Sequence, residues 1–337
     1  MTVKPRKPPN SRKNLKNIQS LLSENRSFNH RLLDLRFVLA DDAVDIDLDG
    51  EHGDLAPFSI LDDLADAARV AYIGEMDHFI AEKYDYRLLC IRYLASRGWR
   101  MFGEEWPEVE HQRPFARGIL ANDRQPDAAL DGAQQRFHES LRRIAPESTW
   151  FSFDADGRDT EYMELASAAE TYEALQPAMA MRERIMHDKV ARAMADDPDA
   201  KVALIAAAQH LLKDDDRVRP KAGTGPGGGT VHSIGHHVAH ELTDQPVLSF
   251  WFLHGEGTSA NPWLPPPGTL TPQAGTFDAE LLARHGSAPC LVRVAEDHHR
   301  RSVTAMHNTV LQCRFANQVD AIVFAPSVSP LIAPPAG

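Results

Sequence analysis

Cysteine is scarce in this 337-residue chain: Cys90, Cys290 and Cys313 lie far apart, and no CxxC pair occurs. A disulfide scaffold needs an even framework, which three scattered cysteines do not supply. Three buried thiols in a reducing cytoplasm are the expectation. No apolar run approaches the ~20 residues needed to cross a bilayer, which argues against a transmembrane helix. The N-terminal MTVKPRKPPNSRKNLKN is basic but has no apolar stretch behind its charges, so it does not read as a secretory leader. The G-x-S-x-G elbow of serine hydrolases is missing, as are the zinc-protease patterns H-E-x-x-H and H-x-x-E-H.

The composition that remains is globular, with 43% apolar and 25% charged residues, and the length suffices for a sizeable core. Net charge is −12, and the six basic groups of the first 17 residues leave the rest of the chain more acidic still. Such a body is unsuited to tracking a phosphate backbone, so neither nucleic acid nor a membrane surface is expected as a partner. Residues 1–25 read as a disordered basic arm, and residues 26–331 as one α/β domain. No feature points to a particular oligomeric state.

Periodicity organises that domain. Residues 55–75 read as a short amphipathic helix followed by a buried strand, Arg69 to Ile73, with Gly74-Glu75 at its C-terminal tip. Tyr84, Leu88, Ile91 and Leu94 recur at helical spacing through 79–97, and Gly98 stops that helix. Trp99 to Gly103 then reads as a second strand ending in Glu104-Glu105, which completes a βαβ unit. Residues 108–200 are mostly helical in pattern, most clearly from Ala178 to Asp196, and are expected to form the cleft. A third strand spans Lys201 to Ala208, a helix 233–243 and a fourth strand Val247 to Leu253, with Phe250, Trp251 and Phe252 as its core. Later strands are expected at Cys290 to Val294 and Ala321 to Phe324. The fold class is therefore α/β: a mainly parallel central sheet flanked by helices, with a helical subdomain over the strand C-terminal ends.

Ligands of open α/β sheets sit outside those ends. Three tips aim Glu75, His78, Glu104 or Glu105, and His210 toward one rim. An imidazole there can take a proton from water while a carboxylate holds its tautomer. A Glu and a His three residues apart also arise as a helix N-terminal carboxylate beside a surface histidine, so the convergence of several tips carries the argument. His232, His236, His237 and His240 invite a divalent-metal reading, but a substrate-facing His236 or His237, or a polar helix face, accounts for them better. His187 and Asp188 read as solvated. Gly223 to Gly228 formally match G-x-G-x-x-G, yet follow a charged loop instead of a strand; residues 213–232 read as a mobile Gly-rich flap, not a dinucleotide site.

The stretch DLADAARVAYIGEMDHFIAEKYDYR resembles the opening of erythromycin-esterase-like proteins, with Gly74, Glu75, His78, Glu82 and Arg87 on the family's Gly-Glu-x-x-His, Glu and Arg positions. GWRMFGEEWP is similar to the family's second strand, its Glu falling best on Glu105. Arg182 to Met186 resembles the family's Arg-acidic-x-x-Met helix start, while KVALIAAAQH, SIGHHVAHEL and QVDAIVFAPSVSPL resemble later elements in order. The resemblance runs from about Asp54 to Leu331. It implies a hydrolase opening an ester or lactone of a small molecule, without a cofactor. His78 would be the base for water, Glu75 and Glu105 would orient it, and Arg87 or Arg182 would stabilise the oxyanion. His210 joins these as a catalytic candidate, and Glu82, Glu104, Arg182, His236 and His237 are candidates for contacting substrate. The other use of such a fold would be ligand binding or a tailoring step without hydrolysis. Two positions depart from the family: Phe79 stands where Gly is usual, and Ala207-Ala208-Gln209-His210 stand where His-Asn-x-His is common. A helix starting at His78 would also put Arg87 on its far face.

Overall fold

Strands that are apolar on both sides must be covered on both sides, and that rule decides the architecture here. The computed structural model describes residues 43–106, 128–156, 158–169, 172–214, 232–260, 268–294, 300–305 and 309–331. The expected basic arm, the formal glycine motif with most of the Gly-rich loop, and residues 107–127 of the cleft region lie outside the described residues.

In chain order the strands are β1 (Val44–Asp45), β2 (Val70–Glu75), β3 (Met101–Glu104), β4 (Thr149–Ser152), β5 (Val202–Ala207), β6 (Val247–Thr258), β7 (Thr269–Leu270), β8 (Cys290–Arg293), β9 (Arg300–Ala305), β10 (Thr309–Arg314) and β11 (Ala321–Val328). The helices are α1 (Asp62–Ala67), α2 (Glu82–Ser96), α3 (Ala128–Ile144), α4 (Thr160–Ala168), α5 (Tyr172–Asp196), α6 (Ile234–His237) and α7 (Phe277–His285). The main sheet runs β1-β8-β11-β6-β2-β5-β3-β4, with β7 on β6. From β11 to β4 every pairing is parallel, and only β1, β7 and β8 pair antiparallel. The fold is thus α/β with a large, mostly parallel sheet flanked by helices.

Side chains alternate across this sheet with period two. Ala71, Ile73, Phe102, Ala203, Ile205, Phe250 and Phe252 face one layer, where Tyr86, Leu89, Tyr93 and Leu94 of α2 and Phe137 and Leu141 of α3 cover them. Val70, Tyr72, Val202, Leu204 and Ala206 face the opposite layer, covered by Met186, Val190 and Met194 of α5. Each large side chain buried in these layers contributes about 1.5–3 kcal/mol. This packing holds the strand tips as a firm platform.

Several expectations need correction. The first and second expected strands are not neighbours, because β5 lies between β2 and β3 and pairs with both. The cleft region is not all helical. Its segment TWFS is β4, which extends the sheet beyond β3, and among its described parts only α4 and the first turns of α5 pack into a separate helical cluster following β4. Helix α5 begins at Tyr172 and runs through Pro177, earlier than expected. The expected helix at 233–243 divides into α6 and a π-helical turn, Val238–Leu242. The β9–β10 hairpin, which pairs apart from the main sheet, was not expected. All three cysteines are buried and free. Among the described residues no helix is long and apolar enough to cross a membrane.

Candidate functional site

The site begins at the end of β2. A Cβ at Gly74 would lie 3.0 Å from Ala208 Cα and 3.1 Å from its Cβ, so a larger residue would crowd the turn after β5. Glu75, the last residue of the strand, is buried. After it the chain turns instead of continuing as helix. Asp77 Oδ1 accepts from Phe79 N (2.7 Å) and Ser259 Oγ (3.0 Å), while Phe79 O accepts from Ala260 N and Leu331 N, both at 3.1 Å. Phe79, half-buried, packs against the core on the α2 side, so the bulky residue is accommodated. The pinned turn sends His78 back over the strand tip, with Nδ1 3.0 Å from Glu75 Oε1. His78 is 27% exposed while Glu75 is fully covered, so only the imidazole of this pair faces outward.

Because α2 starts at Glu82 and not at His78, Arg87 faces the strand tips and not the far face that a helix beginning at His78 would give it. Its Nη2 and Nε donate to Glu75 Oε1 (2.5 Å) and Oε2 (3.3 Å), and its Nη1 donates to Glu104 Oε1 (2.6 Å). Glu104 Oε2 accepts from Gln134 Nε2 (2.6 Å) and lies 2.9 Å from His138 Nε2. Burial alone would raise the Glu75 carboxyl, but Arg87, His78 and Lys83 outweigh it and bring it down to about 2. Burial pulls Glu104 the same way and is likewise overcome, by His138, Arg87 and Gln134, leaving it below its ordinary value. Arg87 itself is held above its ordinary value: the two carboxylates overcome the burial penalty. Its side chain is only 4% exposed and lies between the two carboxylates.

A second network adjoins the first. Glu105 lies one residue past the end of β3; its Oε2 accepts from Ala207 N (2.9 Å) and its Oε1 from Arg182 Nη2 (2.5 Å). Arg182 also donates to Asp154 through Nε (2.7 Å) and Nη2 (3.0 Å). His210 Nδ1 lies 2.6 Å from Glu183 Oε1, and its Nε2 faces Arg182 Nη1 (3.2 Å) and Glu105 Oε1 (3.3 Å). Burial would lower the His210 imidazole, but Glu105 and Glu183 raise it above its ordinary value. Burial would raise Glu105; the charges of His210, Arg182 and His78 lower it instead. With both ring nitrogens engaged, His210 has no free lone pair for water, whereas His78 uses one nitrogen on Glu75.

The structure therefore gathers Glu75, His78, Arg87, Glu104, Glu105, Arg182 and His210 at one edge of the sheet. It does not bring in Glu82, whose carboxylate accepts from Ser329 N (3.0 and 2.9 Å) and ties α2 to the segment after β11. His237 pairs with Glu241 at 3.0 Å and stacks on His187, the ring centroids 4.0 Å apart, so His187 is not the solvated residue expected. His236 stacks on His232, also at 4.0 Å. The backbone before these histidines reaches the network, Gly235 N donating to His210 O and Ile234 N to Glu183 Oε2. Among the described residues no three His, Cys, Asp or Glu side chains are arranged to hold a metal ion. Sequence reasoning missed Lys83, Gln134, His138, Asp154 and Glu183. A signal existed for Glu183, beside Arg182.

No protein-family profile matches the chain, and no curated protein matches it by sequence. Solved structures do. A mutant of the erythromycin esterase EreC in its open conformation superposes with TM-score 0.57 at 17% identity, covering 85% of this chain and 98% of that one. The fold is erythromycin-esterase-like. A protein from Bacillus cereus (TM-score 0.59, 10% identity, 87% and 96% covered) and a succinoglycan biosynthesis protein (0.60, 11%, 89% and 98%) share it. At these identities the likeness is one of fold, and the kinship with the esterase is a distant structural one.

Proposed function

We propose that this chain is a hydrolase that opens an ester or lactone with a water activated by His78. The observation that carries the reading is the His78–Glu75 contact at a strand C-terminal tip, with Glu75 locked from behind by Arg87. In the neutral imidazole, Nδ1–H donates to Glu75 and Nε2 keeps a lone pair. That nitrogen takes a proton from water as the oxygen attacks the carbonyl carbon. Glu75, an anion throughout, stabilises the imidazolium that forms, and the proton then passes to the departing alkoxide. No covalent nucleophile is needed. Of the two arginines, Arg182 is the more exposed, at 13%, and is assigned the developing oxyanion; Arg87 is a positioning residue for Glu75.

Charge narrows the substrate class. Glu75, Glu104, Glu105, Asp154 and Glu183 surround two guanidiniums and His210, so carboxylates are in excess at the rim. A neutral or cationic ester suits this surface better than an anionic one. The test is an assay of the protein and of His78→Ala on macrolides, simpler lactones and activated esters, with and without chelator. Turnover lost in the variant but retained under chelation supports the reading. Absence of turnover on every member by a folded protein contradicts it.

A further inference from the structure

At the end of the sheet opposite the candidate site lies a cavity of about 430 Å³. Its position follows from the elements that end and begin there: Ser96 closes α2, Arg100 precedes β3, Ile144 closes α3 and Ser148 precedes β4. The volume lies within the usual range of small-molecule sites. Leu55, Ala95, Ile144 and Pro146 give it apolar walls, and Arg92 and Arg100 line it as well.

These two guanidiniums differ from Arg87 and Arg182, which are engaged by carboxylates. Arg92, half-buried, donates through Nη1 to Gly50 O (3.3 Å) and Gly53 O (3.0 Å). Arg100 also donates through Nη1, to Ala95 O (2.7 Å) and Trp99 O (2.9 Å). The carbonyls anchor both forks, and among the described residues Nε and Nη2 of each have no partner. Ser148 lines the same cavity, and its hydroxyl oxygen is buried without a hydrogen-bond partner among the described residues. A buried hydroxyl left unpaired is costly, and an acceptor held in the cavity would supply its partner. A smaller cavity of about 150 Å³ shares Ala145, Pro146 and Ser148 with the first and adds Arg142. Three arginines thus line this pair of cavities against one carboxylate, Glu147, in a chain of net charge −12. The local field favours an anion.

We propose that the larger cavity binds a small organic acid, its carboxylate taken by the open guanidinium donors of Arg92 and Arg100 and its hydrocarbon body laid against Leu55, Ala95 and Ile144. A guanidinium fork matches the two oxygens of a carboxylate. The apolar walls and Glu147 disfavour a compact, multiply charged anion such as phosphate. The site is separate from Glu75 and His78 and does not rest on the proposed hydrolysis.

The experiment is calorimetric titration of octanoate, below its micellar concentration, into the folded full-length chain. One molecule per chain should bind saturably, and 1-octanol and inorganic phosphate, each with half of the ligand's chemistry, should bind at least about tenfold more weakly. Arg100→Gln should weaken octanoate at least about tenfold, the loss of a charge-assisted contact. Ser96→Trp, which fills the cavity and removes no charge, should weaken it to a similar extent. His78→Ala should bind octanoate as the wild type does, which separates this site from ester turnover. Absence of saturable binding to the wild type, an affinity unchanged in either folded cavity variant, or phosphate binding as tightly as octanoate would overturn the proposal.

Discussion

Glu75 Oε1 stands 3.0 Å from Nδ1 of His78, and the two occupy opposite sides of a boundary: the carboxylate is fully covered while the imidazole is partly open. The same oxygen accepts from Arg87 at 2.5 Å. The outward-facing base is therefore oriented by an inward-facing ion pair, and the ion pair is fixed by the sheet and by α2. Stability and chemistry are joined at Glu75, which makes the arrangement easy to test.

Removing Arg87 leaves Glu75 and Glu104 buried without their shared cation. Arg87→Leu should destabilise the fold by about 3–5 kcal/mol, read from chemical denaturation. Arg87→Lys should recover only part of this loss, because an ammonium cannot reproduce three directed bonds to two carboxylates.

Acid should act through the same residue. The Glu75 carboxyl is about 2 in the folded protein against an ordinary 4.5, so its stabilisation is complete above 4.5 and is lost as pH falls from there toward 2. Each pH unit within that window removes up to about 1.4 kcal/mol. Glu75→Gln should flatten the difference in stability between pH 5 and pH 3, as read from urea unfolding at each pH.

Lys83 has the opposite consequence. Its folded value is about 7 against an ordinary 10.5, so between those values the unfolded chain binds more protons and stability rises with pH. The wild type therefore carries its full penalty below pH 7. Lys83→Met should be more stable than the wild type at pH 7, with the advantage shrinking toward pH 10.5. An advantage independent of pH would point to packing alone.

Gly74→Ala places a methyl group against Ala208 at 3.0–3.1 Å and crowds β2 against the turn after β5. Overpacking of this kind costs about 1–3 kcal/mol, and because Ala208 N donates to Glu75 O the displacement should also lower activity. Thermal unfolding with a parallel ester assay checks both.

Much of this site could be read in the sequence because strand tips are local features. Apolar runs such as VAYIG and KVALIAAA mark strands buried on both faces, and whatever follows them lies at the sheet's C-terminal edge. That logic reached Glu75, His78, Glu104, Glu105 and His210. It did not reach the strand order, since the insertion of β5 between β2 and β3 rests on pairings as distant as Val70 with Val202 and Met101 with Val202, which have no local signature. It missed β4 because four residues within a helical region are too few to show alternation. Helical spacing counted from His78 put Arg87 on the far face because Asp77 caps a turn that delays α2 to Glu82, and His138 was missed because only tertiary packing carries it to Glu104.

The most direct test of the central claim is the rate of ester or lactone turnover, measured side by side for the wild type and His78→Ala. The account predicts turnover by the wild type and a variant that is folded but at least about a hundredfold slower. A folded variant that retains the rate would show that the base is not His78.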